Sequence, residues 1–281
     1  MDTRFWGPSG WRLLHLIAAD RSVPERKEKV KEWFDLLEYV LPCKYCRASF
    51  HDYTQLQPLT LEIMDSADTF GKWLYDIHNR VNGKLRGQGL LSDCNPSWPA
   101  IKRKYEALQR GLCDSSPLLG WDFMTSVAFT TPAADYDPVP MPDTPEPATD
   151  WNSLDLHTRN RYNLLTRAER LEKLSAWWRL IPSILPCGGW RKAWSNGLKE
   201  SGYPPLIHGR ASVMRWMWKL EENVCVNLKC PTPHSSLPAM RAELAAFESN
   251  CGKSKSRRNK TCRAVRRKRL LTRRTQQRGP R

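Results

Sequence analysis

No run of about 18 apolar residues occurs in this 281-residue sequence, which excludes a helix of membrane-spanning character. Met1-Asp2-Thr3-Arg4 leads into a Trp-rich amphipathic segment where a secretory signal would place its apolar stretch, so a soluble chain without its own secretory address is expected. The first hundred residues show no convincing alternation of apolar and polar positions, which argues against β-structure there. Acid is missing from residues 253–281, which carry 14 Lys and Arg; of the formal charge of +16, only about +2 is left for the first 252 residues. The basicity is therefore a tail, not a surface spread over a folded domain. Residues 132–150 are poor in large apolar groups, with six prolines and five acids, and read as a linker or long exposed loop. Nine cysteines are too few to staple a chain of this length in the manner of a small disulfide-rich fold.

What is present is helical spacing and enough apolar content, 40%, to supply a core for one large or two modest domains. Ser9 is a plausible cap for a first helix in which Trp11, Leu14, His15 and Ala18 share a face. A second helix is expected from about Pro24 to Val40, buried through Val30, Trp33, Phe34, Leu37 and Val40 and stopped by Pro42. A third should cover about Cys43–Tyr53, and a fourth about Ser66–Leu85 with Phe70, Trp73, Leu74, Ile77, Val81 and Leu85 on its apolar face. A shorter helix over roughly Pro99–Gln109 completes an all-α unit, a four-helix bundle with a short fifth helix.

The second half repeats the first. WFDLLEYVLPC (Trp33–Cys43) overlays WWRLIPSILPC (Trp177–Cys187) without a gap, WLYDIHNRVNGKL from Trp73 matches WMWKLEENVCVNL from Trp216, and WRLLHLIAA from Trp11 resembles WDFMTSVAF from Trp121. Residues 118–230 thus read as a degenerate second bundle of similar type, with the proline-rich stretch inserted. Apolar positions persist, whereas His15 becomes Thr125, Cys46 becomes Trp190, and His78, Asn79 and Asn82 become Glu221, Glu222 and Cys225. The expected division is residues 1–114, 115–232 and a basic, disordered 233–281.

Cys43-Lys44-Tyr45-Cys46 has the spacing of both a redox dithiol and half a zinc site. Zinc would need two further ligands, and the nearest thiol pair, Cys225 and Cys230, lies in the other repeat, so no metal is expected. A sulfur at the start of a helix, beside Lys44 and Arg47, is placed to favour its thiolate.

Taken in order, Trp6, Gly7, Trp11 and His15, then CKYC, then HNRVNGKL (His78–Leu85) resemble the Erv/ALR family of FAD-dependent sulfhydryl oxidases, viral type included, over about residues 5–113. The resemblance implies that Cys43 accepts attack from a substrate or shuttle thiol and that Cys46 faces the flavin, with O2 as final acceptor and hydrogen peroxide as product. It implies FAD contacts from Trp11, His15, His78, Asn79, Asn82, Lys84, Lys104 and Tyr105. It also implies a structural disulfide between Cys94 and Cys113, worth roughly 3 kcal/mol by loop closure. The chain departs from the family pattern at Arg86-Gly87-Gln88, where Gly-Lys is common, which leaves the phosphate contacts least supported.

Shuttle cysteines are expected C-terminal, since nothing precedes Trp6 to carry them: Cys225 with Cys230, for which a local structural disulfide is the favoured reading, or Cys251 with Cys262, the arm read as the shuttle. The resemblance further implies protein thiol substrates and a homodimer, and the company of a second bundle and basic tail fits host cytoplasm or a virion. The tail lacks interleaved aromatics and suits phosphate contacts to nucleic acid better than base stacking. The competing reading is a non-catalytic structural or nucleic-acid-binding protein that keeps the fold.

Overall fold

The computed structural model describes residues 1–112, 116–145 and 150–249, and among these there is no β-strand. Helix α1 (Thr3–Ala18) begins earlier than the Ser9 cap predicts, because the Asp2 carboxylate accepts the Arg4 N–H at 2.9 Å and nucleates the helix there. Pro8 is tolerated inside it at the cost of one backbone bond. The second expected helix is divided: a 3-10 turn (Val23–Arg26), then α2 (Lys27–Asp35) and a short α3 (Leu37–Val40), with tighter bonding around Leu36.

Helix α4 (Lys44–Leu56) starts at Cys43, whose extended backbone caps it and whose carbonyl takes the amides of Cys46 and Arg47, each at 3.0 Å. Ser66 caps α5 (Ala67–Gly87) through Thr69 N–H, and α6 (Trp98–Leu112) follows. The first bundle is thus α1, α2/α3, α4 and α5, with α6 packed on α1 and α5.

The chain continues through α7 (Trp121–Phe129), the proline-rich stretch, α8 (Leu156–Arg161), α9 (Arg167–Ile184), α10 (Gly188–Ser201), α11 (Arg210–Leu228) and α12 (Leu237–Ala246). A capping box of Thr166 and Glu169 starts α9. Residues 237–246, expected to belong to the disordered tail, are helical. Ser236 caps them, Met240 and Leu244 are buried at helical spacing, and Phe247 stacks on Phe5 at 4.6 Å. The expected tail from Cys251 onward lies outside the described residues.

Contacts at matched positions recur. Arg47 Nη1 donates to Leu41 O at 2.9 Å, and Arg191 Nη1 to Leu185 O at 2.8 Å. The indole of Trp73 donates to Gln57 O at 2.9 Å, and that of Trp216 to Gly202 O at 2.8 Å. Cys187 caps α10 with an extended backbone, as Cys43 caps α4. Matched elements also face each other, α1 against α7 and α2 against α9, and the matched tryptophans Trp33 and Trp177 stack at 5.2 Å. At the α1–α7 crossing, a Cβ on Gly10 would stand 3.3 Å from the Phe123 ring. Gly120, at φ +106°, turns the chain into α7 against Leu13. One continuous apolar core runs through both halves.

Candidate functional site

Helices α1, α4, α5 and α6 enclose a cavity of about 440 Å³. Its wall is mostly apolar, and Trp11, Cys43, Cys46, His78, Asn82, Lys84, Lys104 and Tyr105 all line it. These are eight of the ten dithiol and flavin positions named from sequence. His15 stands just behind: it lines a smaller cavity that shares Tyr105, its ring stacks on Tyr105 at 4.7 Å, and its Nε2 lies 3.1 Å from His78 Nδ1. The His78 ring stacks on Trp11 at 3.8 Å and 7°. Asn79 is half-buried on α5 but is not among the residues lining either cavity.

Several wall residues lie outside the flavin contacts expected from sequence. Trp6 and Phe50 add apolar wall, Ser49 accepts a hydrogen bond from Lys84 Nζ at 2.5 Å, and Phe123 reaches in from α7. Ser49 and Phe50 follow Cys46 by three and four residues, so the α4 face carrying the thiol was the available signal. Phe123 had none, because its place depends on how the halves pack.

The sequence profile of the Erv1/Alr family matches residues 8–106, within the first bundle. The chain is 36% identical over 104 residues to an African swine fever virus protein named FAD-linked sulfhydryl oxidase, covering 36% of this chain and 80% of the relative. The chain belongs to the Erv1/Alr family. A protein of Acanthamoeba polyphaga mimivirus named probable FAD-linked sulfhydryl oxidase is 36% identical over 85 residues, 29% of this chain and 59% of that one. The mitochondrial FAD-linked sulfhydryl oxidase of Saccharomyces cerevisiae is 31% identical over 97 residues, 34% of this chain and 49% of that one. The chain thus spans about half to three-fifths of the length of these last two relatives. No solved structure matches.

In this Erv1/Alr chain the dithiol is electrostatically biased. A hydrogen bond from Cys46 lowers the Cys43 pKa, outweighing burial, while the same contact and burial raise Cys46. The reduced pair therefore holds its negative charge on Cys43, shared through the Cys46 proton. Arg47 is buried, which lowers its pKa to about 9, and it remains cationic at neutral pH beside the pair. Burial lowers His15 to about 3 and His78 to about 4, so both imidazoles are neutral, one donating to the other.

The cavity fits a flavin. Its lining supplies a flat aromatic wall and dispersed polar groups, and two of its residues have buried polar atoms without a hydrogen-bond partner, Trp6 Nε1 and Gln88 Oε1. Such atoms are costly unless a ligand completes them. Arg86, at a position that departs from the family pattern, is committed elsewhere: its guanidinium donates to Asp93 O at 3.2 Å and Asn95 Oδ1 at 2.9 Å. Asn95 also accepts from Asn82 Nδ2 at 3.0 Å.

The remaining cysteines divide. Cys94 is exposed, and its expected partner Cys113 lies outside the described residues, as do Cys251 and Cys262. Cys225 is buried and in hydrogen-bonding contact with the half-buried Cys230 at the end of α11.

Proposed function

We propose that this chain is an FAD-dependent thiol oxidase that forms disulfides in protein substrates. The observation that carries the reading is that Cys43, Cys46 and the stacked Trp11–His78 pair face one cavity. FAD, when bound, supplies a two-electron acceptor for the dithiol and a route to O2, giving hydrogen peroxide. Trp11, His78, Asn82, Lys84, Lys104 and Tyr105 would hold it, and His15 would buttress His78. Asn79, off the wall, has the weakest support.

In the protein's own half of the reaction, a substrate thiolate attacks the Cys43–Cys46 disulfide and forms a mixed disulfide. The second substrate thiolate then displaces the cysteine, leaving a substrate disulfide and two reduced cysteines. We assign the attack to Cys43, which is only 3% exposed. Its neighbours are gripped by the segment between α7 and α9: Lys44 Nζ donates to Val139 O and Pro140 O at 3.3 Å each, and Arg47 Nη2 to Asn163 Oδ1 at 2.6 Å. Attack there requires that grip to loosen.

Residues 118–230 we read as a degenerate copy standing where a partner bundle would. The recurring contacts and the facing matched helices support this, and the homodimer implied by the resemblance would then use another surface. Cys94–Cys113 as a structural bridge, and Cys225–Cys230 as a local disulfide rather than a shuttle, remain part of the proposal, as do nucleic-acid contact by the tail and a host-cytoplasmic or virion setting. Among the described residues no helix is long and apolar enough to cross a membrane.

The test is the visible spectrum of the purified protein with oxygen uptake on dithiothreitol. A flavin band near ~450 nm and uptake that disappears in Cys46→Ser are expected from the cofactor chemistry. A colourless protein that FAD does not reconstitute would overturn the reading.

A further inference from the structure

Three side chains that thiol oxidation leaves unused meet where α8 lies on α3 and α4. Glu38 is buried at 5% exposure; its Oε2 is 2.9 Å from His51 Nδ1 and its Oε1 is 2.7 Å from His157 Nδ1. One donor atom from each lies within 4.8 Å of the others, and none of the three residues lines the large cavity. We propose that Glu38, His51 and His157 form a zinc site, with the Tyr39 hydroxyl, 3.0 Å from His157 Nδ1, beside the remaining position.

The donor set favours this cation. Two imidazoles and a carboxylate suit a borderline-soft divalent ion, whereas Mg2+ and Ca2+ prefer oxygen alone. Both imidazoles already present Nδ1 to the carboxylate, so no ring has to turn. Tetrahedral zinc with bonds of 2.0–2.2 Å spaces its ligand atoms by roughly 3.3 Å. The two imidazoles now meet different oxygens of Glu38, so an ion held by all three groups replaces those hydrogen bonds and draws both nitrogens around one centre.

The junction also holds the ligands in place without the metal. Asn160 Nδ2, one turn along α8 from His157, donates to Glu38 O at 2.8 Å. Arg161 Nε pairs with Asp52, next to His51, at 3.1 Å. These contacts fix α8 in the register that sets His157 over Glu38, leaving its side chain 61% exposed and open to incoming ion. Asp35 and Asp155 add negative field nearby. The ligands come from positions 38, 51 and 157, a spacing that no zinc motif has, so the sequence does not announce them. Bound zinc would tie the segment between α7 and α9 to the helix that carries the dithiol.

The proposal is tested on the full chain with its cysteine pairs oxidised and remaining thiols alkylated, so that sulfur does not compete. After chelator stripping, Zn2+ is titrated against a chromogenic competitor near neutral pH. One equivalent should bind with a Kd of about 1 μM or tighter. His157→Gln, at an exposed side chain whose loss leaves the fold intact, should weaken binding by at least ~30-fold, and His51→Gln similarly. Zinc should also raise the melting temperature of the wild type and not of His157→Gln. No binding by the wild type, or binding equal in wild type and both variants, would mean that the imidazoles only satisfy the Glu38 carboxylate, and would overturn the proposal. The readout needs no turnover, so its failure leaves the oxidase reading untouched.

Discussion

The two halves of this chain use matched helices for opposite purposes. In the first bundle the interior beside α4 is open and lined by two thiols and the neutral His78, with the neutral His15 behind it. At the matched places in the second, Trp190 is fully buried with its indole donating to Ser116 O at 3.0 Å, and Trp194 stacks on Trp121 at 5.8 Å. Two polar residues that replace flavin positions there, Thr125 and Glu221, are satisfied locally. Thr125 Oγ1 bonds back to Trp121 O at 2.8 Å, and the Glu221 carboxylate takes both the backbone and the ring of His234 at 3.0 Å. The same helical scaffold is thus left open where polar groups and thiols face a cavity and is filled by large aromatic side chains where they do not.

The sharpest way to break this comparison is at the cysteines. Cys46→Ser should reduce oxygen uptake by at least ~1000-fold, as loss of one member of a reacting pair does. Cys187→Ser, at the cap matched to Cys43, should leave turnover within about twofold, because its half has no second thiol at position 190. Equal losses in both would show that the second half shares the chemistry.

Aromatic truncation should separate stability from cofactor. Trp190→Ala removes a wholly buried indole and should cost about 3–5 kcal/mol in urea unfolding without changing flavin per folded chain. Trp11→Ala, on the cavity wall, should instead lower flavin content, read as the ratio of visible to near-ultraviolet absorbance.

The halves should also respond to pH with opposite sign. Burial holds His15 at about 3 and His78 at about 4, below their ordinary value, so between pH 6.5 and those values the unfolded chain binds more protons. Stability of the flavin-free protein should fall as pH drops through that window. Burial would also lower His234, but hydrogen bonding and charge from Glu221 outweigh it and raise its pKa. Its contribution is full below pH 6.5 and is lost as pH rises through its folded value. Denaturant midpoints measured across pH should therefore show His15→Gln flattening the acid side and His234→Gln the alkaline side. The smallest effect is expected on the outer face of α5, where the half-exposed Lys72–Asp76 pair, 2.7 Å apart, should change stability by no more than ~0.5 kcal/mol in Lys72→Ala and leave flavin content unchanged.

Much of the first bundle was legible because it is written in local terms. The stripe of Phe70, Trp73, Leu74 and Ile77, the Ser66 cap and the start of a helix at Cys43 all depend on neighbours within a turn or two. The α1 start was misread because Asp2 is a stronger cap than Ser9 in its setting, and the break at Leu36 because a one-residue change of bonding leaves no mark on periodicity. Helix α12 was hidden by grouping residues 233–249 with the basic run that follows.

By itself, the sequence determined the all-α class, the dithiol spacing and the face of α5 that meets the cavity, since each is carried by spacing along one or two helices. Only the tertiary structure decided that Phe123 closes the cavity from the other half, that Val139, Pro140 and Asn163 grip Lys44 and Arg47 on either side of the dithiol turn, and that Glu38, His51 and His157 converge. Those arrangements join positions up to about 120 residues apart, and long-range packing, unlike helical period, leaves no local pattern to read.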